Sequence, residues 1–196
     1  DEIVGHMGAV ESIFDINALS KEDLLTSGLC TEILEKLDDA YAQALRTLQT
    51  NKPVNKDLSI VYTPLHGSGL EPTVRGLKEF GFSNVHVVEQ QVIQDGNFPT
   101  VMYPNPEEPD AFLLAMELGE KVKAEILMAT DPDADRLGVA VLDNGEYKLL
   151  SGNQLGAMLL QYLLQIKWIP ANAAMIKTIV TSEFGTAIAN QYGVTT

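Results

Sequence analysis

Three short apolar runs rich in β-branched residues, Leu58 to Thr63 (LSIVYT), Asn84 to Glu89 (NVHVVE) and Ala124 to Thr130 (AEILMAT), alternate with segments of helical apolar spacing. No other feature constrains the fold as much, because strands joined through helices run parallel in one sheet that those helices cover. One intervening helix is expected from near Pro72, carrying Val74, Leu77 and Phe80 and stopping at Gly81. The other is expected over residues 110 to 122, with Phe112, Leu113, Met116 and Leu118 apolar. After the third run the chain turns through DPDADR into Leu137 to Leu142 (LGVAVL), reverses at Asp143-Asn144-Gly145 and returns as Tyr147 to Leu150. Asn-Gly between apolar runs is a strong hairpin signal. The expected fold is therefore α/β, a mixed sheet flanked by helices on both faces, and the near-continuous apolarity of its strands fits burial on both sides.

Beyond the hairpin, a long apolar helix from Asn153, a strand over Ala174 to Thr181 and a helix from Glu183 read as a partial second α/β unit. Before the first strand, residues 1 to 50 read as helical. Ser20 to Asp23 (SKED) forms a capping box, and Thr31 is the expected N-cap of the next helix. In that helix Ile33, Leu34, Leu37, Tyr41, Ala44, Leu45 and Leu48 share one stripe, expected to pack on a neighbour. A polar stretch from Asn51 to Lys56 precedes the sheet. The expected division is a helical N-terminal segment (1–38), an α/β domain (39–148) and an incomplete second unit (149–196). No repeat of fixed period and no low-complexity segment interrupts this order. A start at Asp1 without an initiator methionine, and an end just after an expected helix, suggest a piece of a longer protein.

Charge narrows the partners. Thirteen Lys+Arg against 27 Asp+Glu give a formal net charge of -14, a surface that repels phosphate backbones and anionic lipid, so neither nucleic acid nor a membrane surface is expected. The longest apolar stretch, Leu155 to Ile169, is broken by Gln161, Gln165 and Lys167, which leaves no expected membrane span. No basic stretch followed by an apolar core opens the chain, so no signal peptide is read. Cys30 is the one cysteine, so no intrachain disulfide is expected and the chain fits a reducing cytoplasm. A structural thiol is the reading for Cys30, which has no basic neighbour in sequence.

The sharpest chemical feature is DPDADR, residues 131 to 136, at the end of an expected strand. Carboxylates at i, i+2 and i+4 raise one another's pKa unless a counter-charge intervenes, and hard oxygen ligands suit magnesium, manganese or calcium. An EF-hand is excluded, since its sixth position is Arg136 in place of Gly and its twelfth is Leu142 in place of Glu. A solvated acidic turn is the bland alternative. The second feature, TPLHGSG at residues 63 to 69, lies at the carboxyl end of a strand and before a helix, where free backbone N–H groups hold anions. Its spacing matches neither a P-loop nor a dinucleotide fingerprint. His66 is read there either as a substrate contact or as a loop hydrogen bond, whereas His6 and His86 carry weaker signals. Third comes the proline-stiffened loop from Asp95 to Asp110 (DGNFPTVMYPNPEEPD), with Glu107, Glu108 and Asp110 just before a helix. Residues 181 to 186 (TSEFGT) carry Ser182 as a simple N-cap, or as part of an anion site.

In their order, YTPLHGSG, DGNFPTVMYPNPEEPDAF and DPDADRLGVAV resemble the second domain of the α-D-phosphohexomutase superfamily, particularly its bacterial phosphoglucomutase and phosphomannomutase branch. The resemblance runs from about Asp39 to the C-terminus. It implies that Asp131, Asp133 and Asp135 hold Mg2+, and that Arg136 lines the catalytic cleft beside them, with His66 a second catalytic candidate. The substrate implied is a phosphosugar, and the activity an exchange of sugar 1-phosphate and 6-phosphate through a phosphoserine and a bisphosphate intermediate. From Ser151 onward the chain resembles the start of the third domain. A serine-histidine-asparagine-proline segment for the phosphoserine is absent, so this chain alone is expected to be inactive. Glucose is the expected sugar, because the TPLHG and DPDADR spellings lean away from the phosphoglucosamine branch, whose metal loop more often reads DGDGDR. A phosphomannomutase or phosphopentomutase, or a cation-binding module without chemistry, are the alternatives.

Overall fold

In the computed structural model, which describes residues 2–16, 18–50, 54–166 and 169–196, the first apolar run forms strand β1 (Ile60–Thr63) at the heart of the molecule's one described sheet. Strand β2 (Val85–Val87) pairs parallel to it on one side and β3 (Ile126–Thr130) parallel on the other. Then β4 (Leu137–Asp143) and β5 (Glu146–Leu150) add antiparallel, giving the order β2-β1-β3-β4-β5. The expected mixed α/β sheet is the one observed. Asn144 and Gly145 both have positive φ, 52° and 88°, the backbone of a type I′ turn, and Asp143 pairs directly with Glu146 across it.

Helix α4 (Leu70–Glu79) joins β1 to β2, and helix α5 (Leu113–Val122) precedes β3. Alternation along the strands divides the side chains between the two faces. Val61, Leu127, Ala140 and Leu149 lie in register and pack with Phe112 and Ala115 of the α5 side. On the opposite face Tyr62 is fully buried, its hydroxyl beside the start of α4 at Gly69. At the C-terminus of α4, Gly81 N–H donates to the Lys78 carbonyl and Phe82 N–H to the Leu77 carbonyl, the paired bonds of a Schellman cap at the expected stop.

The chain divides into two compact units, residues 1–41 and 42–196. The first holds helix α1 (Glu2–Gly8), a 3-10 turn at Ile13–Asp15, and helix α2 (Lys21–Thr26), with Ser20 accepting from the Asp23 N–H as the capping box requires. Helix α3 (Leu34–Leu48) begins three residues after Thr31, because its first bond runs from the Leu37 N–H to the Ile33 carbonyl, so Thr31 is not the N-cap. The expected apolar stripe is largely unpacked. Ile33, Leu37, Tyr41 and Leu48 are exposed, Leu45 is half-buried and Ala42 is the buried residue. Within the second unit α3 meets α4 through its polar edge, where Arg46 pairs with Glu79, and through Leu45 beside Gly76. Leu34's side chain, Asn51 to Pro53 within the polar stretch, and Lys167 lie outside the described residues.

The C-terminal part differs more. Helices α6 (Gly152–Ile166) and α7 (Glu183–Gln191) form as read, with Ser182 capping α7 by accepting from the Phe184 N–H. The strand expected over Ala174 to Thr181 does not form. Its single bridge joins Ala174 to Thr195, and Ile176 and Ile179 stand 95% and 99% exposed. A β-rich sequence becomes a strand only when a neighbouring strand takes its backbone groups, and among the described residues only the stretch at Thr195 does so, at one position. Among the described residues, no helix is long and apolar enough to cross a membrane.

Candidate metal centre

The strand order reverses direction at β1. From β1 the chain crosses to β2 on one side, then returns past β1 to β3 on the other, so the loops leaving the carboxyl ends of the adjacent parallel strands β1 and β3 emerge side by side. DPDADR leaves β3 there, and TPLHGSG leaves β1.

The two loops touch through backbone. Ser68 donates both its N–H (2.8 Å) and its hydroxyl (3.1 Å) to the Pro132 carbonyl. A Cβ on Gly67 would lie 2.3 Å from Pro132 Cα, and one on Gly69 would lie 2.5 Å from Thr130 Oγ1, so only glycine permits this approach. Tyr62 and Thr130 close the base with a 2.8 Å hydroxyl–hydroxyl bond.

Asp131 is the anchor of the acidic loop, only 2% exposed. Its Oδ1 accepts from the Arg136 N–H at 2.9 Å and its Oδ2 from Arg136 Nε at 2.7 Å. Burial pushes its pKa up, but the Arg136 N–H and guanidinium together outweigh burial and hold it below the ordinary value. Asp133 and Asp135 are exposed, and Ala134 between them takes φ 59°, closing the turn with an N–H to the Asp131 carbonyl at 3.0 Å. Repulsion from Asp133 first, then the bond and charge of Asp131, raises the Asp135 carboxyl above its ordinary value. The three aspartates offer carboxylate oxygens all within 4.8 Å of one another. An oxygen-only donor set with a charge conflict of this kind suits a hard divalent cation.

Arg136 reaches outward, its side chain 51% exposed. Besides Asp131 it donates Nη1 to Asn105 Oδ1 at 3.1 Å. This brings the YPNPEEP segment to the centre, a contact the sequence reading did not single out. An Asn held between two prolines was the available signal.

His66 is buried under the loop that follows β1. Its Nδ1 lies 3.0 Å from the Ile93 carbonyl and must donate there, so its Nε2, 2.9 Å from Thr100 Oγ1, accepts from the threonine hydroxyl. Thr100 Oγ1 in turn accepts from Gln91 Nε2, and Gln91 Oε1 from the Thr63 hydroxyl, forming a closed polar chain under the β1 loop. Both ring nitrogens are spent on the loop, the second of the two roles read for this histidine.

Most of the backbone donors expected to form an anion site at residues 63–69 are already engaged. Leu65 N–H donates to Thr63 Oγ1, His66 N–H to the Gln91 carbonyl, Gly67 N–H to the Pro64 carbonyl and Ser68 N–H to the Pro132 carbonyl. Four successive donors are consumed internally, and the loop serves to support its neighbour.

Residues 39–145, more than half of the chain, match the family described as phosphoglucomutase/phosphomannomutase, alpha/beta/alpha domain II. The chain is 34% identical over 195 residues to the phosphoglucomutase of Staphylococcus haemolyticus, covering 99% of itself and 35% of that protein. It is 31% identical over 191 residues to the phosphomannomutase of Mycoplasmoides pirum, covering 97% of itself and 35% of that protein. It therefore spans about a third of the length of these curated relatives. A solved phosphoglucomutase/phosphomannomutase family protein from Burkholderia thailandensis superposes with TM-score 0.61 at 21% identity, over 81% of this chain and 32% of that one, a likeness of fold.

Proposed function

Because the chain belongs to the phosphoglucomutase/phosphomannomutase family, we propose that it supplies the magnesium-holding domain of an intramolecular phosphotransferase that interconverts sugar 1-phosphate and 6-phosphate. The convergence of the Asp131, Asp133 and Asp135 carboxylates within 4.8 Å carries this reading. These three residues would hold the ion, which when bound stabilises negative charge on a transferring phosphoryl group. Arg136, held at Nε by Asp131 and at Nη1 by Asn105, presents its remaining N–H groups to a substrate phosphate. His66 acts by holding the β1 loop against residues 93–100. The phosphoserine that opens the cycle and the loops that read the sugar belong to parts of the longer relatives outside the third that this chain matches.

Glucose phosphate is the favoured substrate, on the TPLHG and DPDADR spellings, and mannose phosphate is the second reading, on the phosphomannomutase among the matching relatives. A reducing cytoplasm accompanies either, supported by the single cysteine, Cys30. By itself the chain should give only background turnover of glucose 1-phosphate in the presence of its 1,6-bisphosphate, and turnover that Asp133→Asn abolishes would overturn that part of the reading. Calorimetric titration of magnesium into the chain tests the metal site. Binding on the order of millimolar is expected, the range of weak oxygen sites. Asp133→Asn should weaken it at least tenfold, whereas equal binding by both proteins would show general screening of an acidic surface and end the metal-site reading.

A further inference from the structure

We propose that Asn105 is a positioning residue, whose amide oxygen and the Asp131 carboxylate together hold the Arg136 guanidinium at two of its nitrogens so that Nη2 stays available to a ligand. This rests on the reading of Arg136 as a phosphate contact and assigns the residue that aims it.

An arginine held only through Nε still exchanges its two Nη groups by turning about the Cζ–Nε bond, and a partner on one Nη slows that exchange. Nε is held by Asp131 at 2.7 Å and Nη1 by Asn105 at 3.1 Å, and two partners on different nitrogens oppose that exchange. The guanidinium makes no other hydrogen bond among the described residues, which leaves Nη2 for a ligand oxygen.

Asn105 is itself fixed. Its Oδ1 also accepts from the Glu107 N–H at 3.2 Å, and its carbonyl accepts from the Glu108 N–H at 3.0 Å. Both partners of the side-chain oxygen are donors, so the amide orientation is unambiguous. The segment carrying it is pressed onto β4, where a Cβ on Gly138 would lie 2.1 Å from the Pro106 carbonyl oxygen. Asn105 is thereby referred to the sheet two residues after Arg136, and Arg136 to the end of β3 through Asp131. The guanidinium is clamped between two fixed points of one sheet.

The test is the rotation rate about the Arg136 Cζ–Nε bond, read by NMR of the 15N-labelled guanidinium in the full chain, with Arg136→Lys assigning the signal. Asn105→Ser keeps a hydroxyl able to accept from the Glu107 N–H but too short to reach Arg136, so the loop is retained and the clamp removed. Rotation should then accelerate at least tenfold, and in Asn105→Asp, which keeps an oxygen at the same place, it should remain slow. Unchanged rotation in Asn105→Ser, or fast rotation in Asn105→Asp with the melting temperature kept, would overturn the proposal. Inorganic phosphate added to the wild type separates this from the functional reading. If phosphate leaves the Arg136 signals unmoved while Asn105→Ser still frees the rotation, Asn105 holds the guanidinium and the assignment of Arg136 to a substrate phosphate fails.

Discussion

Three aspartates that look alike in DPDADR occupy different electrostatic positions, and substitution should separate them. Asp131 is buried and accepts twice from Arg136, so Asp131→Asn leaves a guanidinium facing a neutral amide and should cost about 1.5 to 3 kcal/mol, the worth of hydrogen bonds to charged groups. Asp133 is exposed, and its nearest effect is to push the Asp135 carboxyl up. Removing that charge relieves repulsion, and Asp133→Asn should leave stability within about 0.5 kcal/mol of the wild type or slightly above it. Urea denaturation without magnesium at neutral pH measures both, and equal losses would mean that Asp131 and Asp133 hold the loop alike. The period-two spacing of the acids was legible in the sequence, because it depends on a local turn. The division of labour among them was not, since it follows from how deeply the end of β3 sits in the sheet. The roles of Asn105 and of Thr100 were hidden for a related reason: each acts on a residue 31 or 34 positions away.

Among the elements, those with both a local propensity and a partner were legible, as β1, β3, α4, α5 and the hairpin show. Two readings fell short where only one of these was present. The segment from Ala174 to Thr181 has the composition of a strand and no strand beside it. The loop after β1 has the setting of an anion site, but the acidic loop, the loop after β2 and its own Thr63 and Pro64 take four of its donors. The contact between loops predicts that Gly67→Ala destabilises by about 1 to 3 kcal/mol, because the new methyl meets Pro132 backbone, which has no rotamer by which to yield. The same substitution should weaken magnesium binding in calorimetry, and a stable Gly67→Ala chain with unchanged magnesium affinity would dissolve the link. Beneath that contact, the Tyr62–Thr130 bond ties β1 to β3. Burial raises the Tyr62 hydroxyl above its ordinary pKa of about 10. Between the unfolded and folded values the native chain keeps a proton that the unfolded chain releases, so this stability is complete below pH about 10 and is lost as pH rises towards the folded value. Tyr62→Phe should flatten the fall in stability above pH about 10, leaving the part due to Tyr147, whose hydroxyl is also raised by burial. An unaltered slope would place the alkaline transition elsewhere.

Across the whole molecule, cohesion should follow the sheet. Val61, Tyr62, Leu127 and Ala129 are fully buried in paired strands, so their amides exchange only when the sheet itself opens. In the C-terminal part, α6 and α7 pack on each other, and the intervening segment leaves Ile176, Ile179 and Val180 in solvent, held by one backbone bridge and by the Lys177–Glu183 ion pair. Its burial is too small to offset the conformational entropy of ordering about eight residues, each of which costs about 1 to 2 kcal/mol. We therefore expect residues 149–196 to behave as a second, weaker cooperative unit, with a boundary near residues 146–152. Native-state hydrogen exchange should find the amides of residues 60–63 and 126–130 protected to the level of global unfolding. Amides of residues 175–181 should exchange orders of magnitude faster, and those of α7 at an intermediate rate set by Ile188 and Ala189, its buried positions. Rising denaturant should release α6 and α7 before β1 and β3. Release of all four in one step, with equal opening free energies, would mean that α6 and α7 complete the core of the sheet and that residues 42–196 unfold as one body.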